Sequence, residues 1–137
     1  MKTKQKLAIH ELLSRAAYYF DLHDVENLQN CFTEDANMLV NIAGGDTFGP
    51  FEGREAIMGL MSGTLDAQTD TRRHIICDFF FESEGKKDAV VVSTLVLTSV
   101  ENGAISLVTS GVYRDTVKKV DGKWLFTDRL LDLDMPF

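Results

Sequence analysis

Apolar residues recur at three- and four-residue intervals from Gln5 to Leu22, at Leu7, Ala8, Ile9, Leu12, Leu13, Ala16, Ala17, Tyr19 and Phe20. That spacing predicts an amphipathic helix with one broad buried stripe. Asp24 reads as the N-cap of a short second helix through Leu28 to Phe32, and Glu26 complements its dipole. Thr33-Glu34-Asp35 forms a polar break. Beyond it, Met38-Leu39-Val40 and Ile42 read as a strand that ends at Gly44-Gly45-Asp46. A third helix is predicted from Arg54 to Leu65, following Gly53, with Ala56, Ile57, Leu60 and Met61 on its inner face.

From Thr71 the period changes to that of strands. Segments 72–83, 88–100, 104–118 and 123–134 are separated by Glu84-Gly85-Lys86-Lys87, Glu101-Asn102-Gly103 and Val120-Asp121-Gly122. Asn-Gly and Asp-Gly are strong hairpin dipeptides, because type I′ turns need positive φ at both central residues. Helices followed by an antiparallel meander make an α+β arrangement, read as one domain over residues 1–137.

Strict alternation puts Ile75, Cys77, Phe79 and Phe81 on one face of segment 72–83, with His74, Ile76 and Phe80 on the other. Segment 88–100 carries Val90, Val92, Val96 and Val100 on one face, and Val91, Leu95 and Leu97 on the other. A sheet with one wet face should alternate apolar with polar, yet both faces here are apolar. A chain this short cannot easily cover both. The expectation is a homodimer or homotrimer packed through the outer sheet face.

The chain has 137 residues, 45% of them hydrophobic, enough for a core without metal or disulfide staples. Fourteen basic residues against 21 acidic ones give a net charge of −7, which disfavours binding to nucleic acid or to anionic membranes. Cys31 and Cys77 form no disulfide framework, and no run approaches the length of a membrane span. The basic start, Met1 to Lys6, is not followed by an unbroken apolar stretch, so no export signal is expected and the protein reads as soluble and cytoplasmic.

Three residues carry candidate chemistry. Asp21 follows the helical stripe that faces the sheet, and His74 opens the first long strand. A carboxylate beside an imidazole fixes one tautomer and makes the ring a general base. Arg129, on the last strand, offers a fixed charge for a developing oxyanion or leaving group. Structural roles stand beside these. Asp21 could end helix 1, Arg129 could be its ion-pair partner or that of Asp132 or Asp134, and His74 could donate to a backbone carbonyl. Phe32, Phe48, Phe51, Met58 and Met61 could line a hydrophobic pocket or simply fill the core. His10, His23, His74 and the two cysteines show no metal-ligand spacing, and no P-loop, GxGxxG or GxSxG pattern occurs.

Four local patterns carry a resemblance. They are Tyr19-Phe20-Asp21-Leu22-His23-Asp24 with Leu28, Cys31-Phe32-Thr33-Glu34-Asp35-Ala36, Phe51-Glu52-Gly53-Arg54-Glu55-Ala56-Ile57, and Asp121-Gly122-Lys123-Trp124-Leu125-Phe126 with Arg129. In this order the chain resembles the SnoaL-like branch of the nuclear transport factor 2-like superfamily. The resemblance implies a cone-like barrel, with N-terminal helices packed on a curved, mainly antiparallel sheet. Scytalone dehydratase and hexachlorocyclohexane dehydrochlorinase, in that superfamily, use an Asp–His dyad as base in an elimination; Asp21 and His74 match its positions. Arg129 matches an Arg five residues after the Trp of the dehydrochlorinase-like pattern. The strand Asn37-Met38-Leu39-Val40-Asn41 lacks the general-base Asp of ketosteroid isomerase relatives. No strand here carries the Arg-x-Asp pair of limonene epoxide hydrolase relatives. Thr98, Ser99, Gly111 and Tyr113 stand near where scytalone dehydratase has a second His and an Asn, so the substrate should differ.

The resemblance thus implies a cofactor-independent lyase or isomerase acting on a small, largely apolar, cyclic or polyketide-like molecule. Tyr18, one turn before Asp21, would donate a hydrogen bond, and Phe32, Phe48, Met58 and Met61 would contact substrate. The alternative is a non-catalytic small-molecule-binding module, or an assembly protein like the β subunit of ring-hydroxylating dioxygenases.

Overall fold

The computed structural model describes residues 1–137. Helix α1 (Thr3–Asp21) buries Ile9, Leu12, Leu13 and Ala16, one stripe at helical spacing. In α2 (Val25–Gln29) the carboxylate of Asp24 accepts the Asn27 backbone N–H at 3.2 Å, capping the helix as expected, but the helix ends short of the expected Phe32, which instead opens the first strand. Helix α3 (Arg54–Ala67) begins after Gly53, whose φ of 92° suits a residue without Cβ, and buries Ile57, Met58, Met61 and Leu65. Ala56, expected inside, faces solvent.

Six strands form one sheet: β1 (Phe32–Ile42), β2 (Thr47–Glu52), β3 (Thr71–Glu84), β4 (Asp88–Glu101), β5 (Ala104–Val120) and β6 (Lys123–Leu133). Their order is β2-β1-β6-β5-β4-β3, with β1 and β6 parallel and every other pair antiparallel. The β4–β5 and β5–β6 turns are the expected two-residue ones, with φ of 53° and 77° at Asn102-Gly103 and 50° and 79° at Asp121-Gly122.

Three local readings change. The polar triplet Thr33-Glu34-Asp35 lies inside β1, where the register with β6 shifts between Phe32 and Asn37, so it is an irregularity within a strand and not a break before one. The unforeseen β2 contains Gly49-Pro50. Proline supplies no ladder donor, and the strand survives because it is the sheet edge. In β3, Asp78 adopts a φ of 55° and the pairing with β4 shifts between Cys77 and Phe80. This bulge reverses the alternation. His74, Ile76, Phe79 and Phe81 therefore share the half-buried inner side, while Ile75 and Phe80 face out.

The inner side of the sheet is covered by the helices. His10 and Phe20 of α1 meet Phe79 and His74 of β3 edge to face, with ring centroids 4.3 and 4.8 Å apart. The outer side is bare in a single chain. Ile75, Phe80 and Val112 are exposed there, as are Ile105 and Leu107, which face Val100 and Thr98 of β4. Both faces are indeed apolar, and the chain covers only one. No helix is long and apolar enough to cross a membrane.

Candidate functional site

Asp21 is the last residue of α1, a position where the helix dipole disfavours a carboxylate, and no basic residue occupies that last turn. Its compensation comes from the sheet. The backbone N–H of His74 donates to Oδ2 at 3.0 Å and Oδ1 at 3.2 Å, and the ring Nδ1 lies 2.6 Å from Oδ1. Because β3 is the edge strand opposite β2, the N–H that Asp21 accepts would otherwise lack a ladder partner. A carboxylate accepts only, so the hydrogen on the contacting nitrogen belongs to Nδ1, and Nε2 carries the lone pair when the ring is neutral. The side chains of His74 and Asp21 are 13% and 8% exposed.

Arg129 of β6 faces Asp115 of β5 across the ladder. Its Nε donates to Oδ1 at 2.8 Å and Nη2 to Oδ2 at 3.1 Å, a bidentate pair with Asp115 fully buried. The guanidinium also lies 4.2 Å from the centroid of Tyr113 and 4.1 Å from that of Phe126. Burial pushes the Asp115 carboxyl up and the Arg129 charge pulls it back. Burial likewise opposes the Arg129 charge, but the Asp115 carboxylate outweighs it and holds the guanidinium above its ordinary value. The net direction for Asp115 is upward, and the two-pronged contact offsets only part of the effect of burial. Arg129 is thus the partner of neither Asp21, Asp132 nor Asp134.

Between α1, α3 and the sheet lies a cavity of about 90 Å³, in which 16 of 21 lining residues are hydrophobic. It brings together His74, Arg129 and Met61, with Phe20, Ile76 and Leu95 among its apolar wall. Four expected contacts lie elsewhere. Tyr18 is 60% exposed, since it sits two residues from both Ala16 and Phe20, on the opposite side of α1 from the cavity. Phe32 is sealed in the core against Phe126, with centroids 5.3 Å apart. Met58 packs in the same core, and Phe48 lies on the exposed edge strand beside Phe137.

Two further polar residues that the sequence did not single out, Arg72 and Gln68, line the cavity, and Tyr113 joins them from a strand position that the resemblance had set near the pocket. Burial pushes the Tyr113 phenol up, so that it stays a neutral donor. Arg72 was legible from alternation, being two residues before His74 on the same strand side. No group of three or more His, Cys, Asp or Glu side chains converges as metal ligands do. Both cysteines are free, and burial pushes the Cys31 thiol up to about 11.

An α+β sheet with helices closing a cone over an apolar cavity defines the cystatin-like, nuclear transport factor 2-like class of protein. Residues 1–130 match the SnoaL-like domain model, and the chain belongs to that family. A cystatin-like protein of unknown function from Nostoc punctiforme is similar at 25% identity, covering 99% of this chain and 97% of the other, with a TM-score of 0.81. A candidate scytalone dehydratase from Novosphingobium aromaticivorans shares 25% identity over 96% of this chain and 85% of its own, at a TM-score of 0.78. The β subunit of a candidate aromatic-ring-hydroxylating dioxygenase from the same organism shares the fold, with 15% identity, coverage of 99% and 94%, and a TM-score of 0.83. Comparison with curated proteins finds no match.

The buried pair gives a direct stability test. Asp115→Asn should destabilise the protein by about 3–5 kcal/mol in urea unfolding, because it leaves a buried guanidinium without its counter-charge. Joint replacement of Asp115 by Leu and Arg129 by Met should cost clearly less. A single substitution that proves neutral contradicts this account.

Proposed function

We propose that the protein is a cofactor-independent lyase or isomerase acting on a small, largely apolar, cyclic or polyketide-like molecule. The observation that carries this reading is the 2.6 Å contact of Asp21 with His74 Nδ1, in a ring that lines an apolar cavity. His74 Nε2 takes a proton from a carbon next to a carbonyl, and the C–H electron pair passes into the enolate. In an elimination that pair forms the C=C bond, and the leaving group departs from the neighbouring carbon with its own bonding electrons. In an isomerisation the proton returns at a different carbon. Asp21 orients the ring and stabilises the imidazolium. Arg129, whose internal hydrogen bonds run through Nε and Nη2, stabilises the oxygen that gains charge. Tyr113 takes over the donor role first expected of Tyr18.

Similarity to a candidate scytalone dehydratase supports the elimination chemistry, and the dioxygenase β-subunit neighbour keeps an assembly role as the alternative. The assay that separates them needs no known substrate. Small cyclic ketones and β-hydroxyketones incubated in D₂O should exchange their α-hydrogens faster with enzyme, read by NMR. His74→Ala should reduce that acceleration by about 10²–10⁴-fold while leaving the fold intact. Undiminished exchange in this variant would remove His74 as the base, and absence of any exchange across the panel would favour the non-catalytic reading.

The same proposal extends to self-association through the outer sheet face, as a homodimer or homotrimer. Ile105 and Leu107, 73% and 74% exposed, support it. Sedimentation should give a dimer or trimer at micromolar concentration and a smaller species for Leu107→Glu. A wild-type monomer would overturn it.

A further inference from the structure

The cavity wall has an unusual charge arrangement for so acidic a chain. Of 21 Asp and Glu residues in the sequence, none lines the cavity, while Arg72, His74 and Arg129 all do. Each of the three is held by a carboxylate that stands outside the wall: Asp70 for Arg72, Asp21 for His74 and Asp115 for Arg129. Side-chain exposure falls from 21% at Arg72 to 13% at His74 and 7% at Arg129, which places Arg72 nearest the rim.

Arg72 is positioned but not saturated. Its hydrogen bonds to Asp70, at 3.0 and 3.2 Å, run through Nε alone. Asp70 is itself fixed by the hydroxyl of Ser99, and that bond, ahead of the Arg72 contact, keeps its carboxyl below the ordinary value and so ionised. The Asp70 backbone carbonyl accepts from Gln68 Nε2 at 2.8 Å, so the segment that aims Arg72 is stitched to the end of α3. Nη1 and Nη2 remain as a planar pair of donors on an apolar cavity, the geometry that matches two carboxylate oxygens.

We propose that Arg72 binds a carboxylate on the substrate, so that the natural ligand is a small apolar acid whose carbon skeleton enters the cavity while its acid group stays at the rim. This deepens the function proposed above and rests on the same cavity being the ligand site. The apolar wall strengthens the contact, since a charge-assisted hydrogen bond gains where water is excluded. Arg72 is then a specificity-determining residue, and it takes no part in proton transfer.

The test compares 3-phenylpropanoate with 3-phenylpropanamide, equal in skeleton and different in charge, by NMR shift titration of the full chain. Wild type should bind the acid about 10- to 100-fold more tightly than the amide. Arg72→Gln should abolish that preference while the amide still binds, which also reports that the variant is folded. Arg72→Lys should keep part of the preference through charge without the fork. Equal affinities in wild type, failure of the acid to bind at millimolar concentration, or an intact preference in Arg72→Gln would each overturn the proposal. The readout is binding without turnover, so a failed exchange assay bears on His74 as the base, whereas the acid-to-amide ratio bears on Arg72.

Discussion

The carboxylate of Asp21 ties the end of α1 to the edge strand β3, and the geometry of the cavity depends on that tie. Two donors are in play, the backbone N–H and the ring Nδ1–H of His74, and a helix terminus that would repel a negative charge is offset by them. The same contact closes the open side of an edge strand and turns the imidazole so that its other nitrogen is left free. Structure and chemistry therefore share one interaction. A residue that merely ended the helix would need no imidazole opposite it, and a base without the backbone bond would leave the strand edge unpaired.

The floor and the rim repeat this construction with different partners. Arg129 is held by Asp115 between two aromatic rings, and Arg72 by Asp70 beneath Ser99. In each case the anion sits behind and the cation faces the cavity. Sixteen apolar lining residues exclude water, so a few oriented donors dominate what the cavity can bind.

The helices and both two-residue turns were legible because short-range signals specify them, helical spacing and the Asn-Gly and Asp-Gly dipeptides, whereas the Asp21–His74 pair joins distant parts of the chain and was implied only by the family resemblance. What escaped was set by irregular pairing. Counting outward from the Asp121-Gly122 turn places Arg114 opposite Arg129, but the register slips by one between Thr116 and Val117 and brings in Asp115. Asp78 moves Phe79 and Phe81 to the inner face by the same device. Strict period-two reasoning fails at each bulge, since one extra residue inverts every side chain beyond it. Tyr18 is a different error. It lies a turn from Asp21, yet the helical rotation between Ala16 and Phe20 carries it to solvent.

The central claim is that Asp21 fixes His74 with its Nε2 unprotonated and available to the cavity. Nitrogen-15 NMR of the neutral His74 ring in the wild-type protein reads this directly. The account predicts that the proton resides on Nδ1 and that Nε2 shows the shift of a bare ring nitrogen. A ring protonated on Nε2 instead would set two lone pairs against each other at the carboxylate, leave no base facing the cavity, and contradict the account.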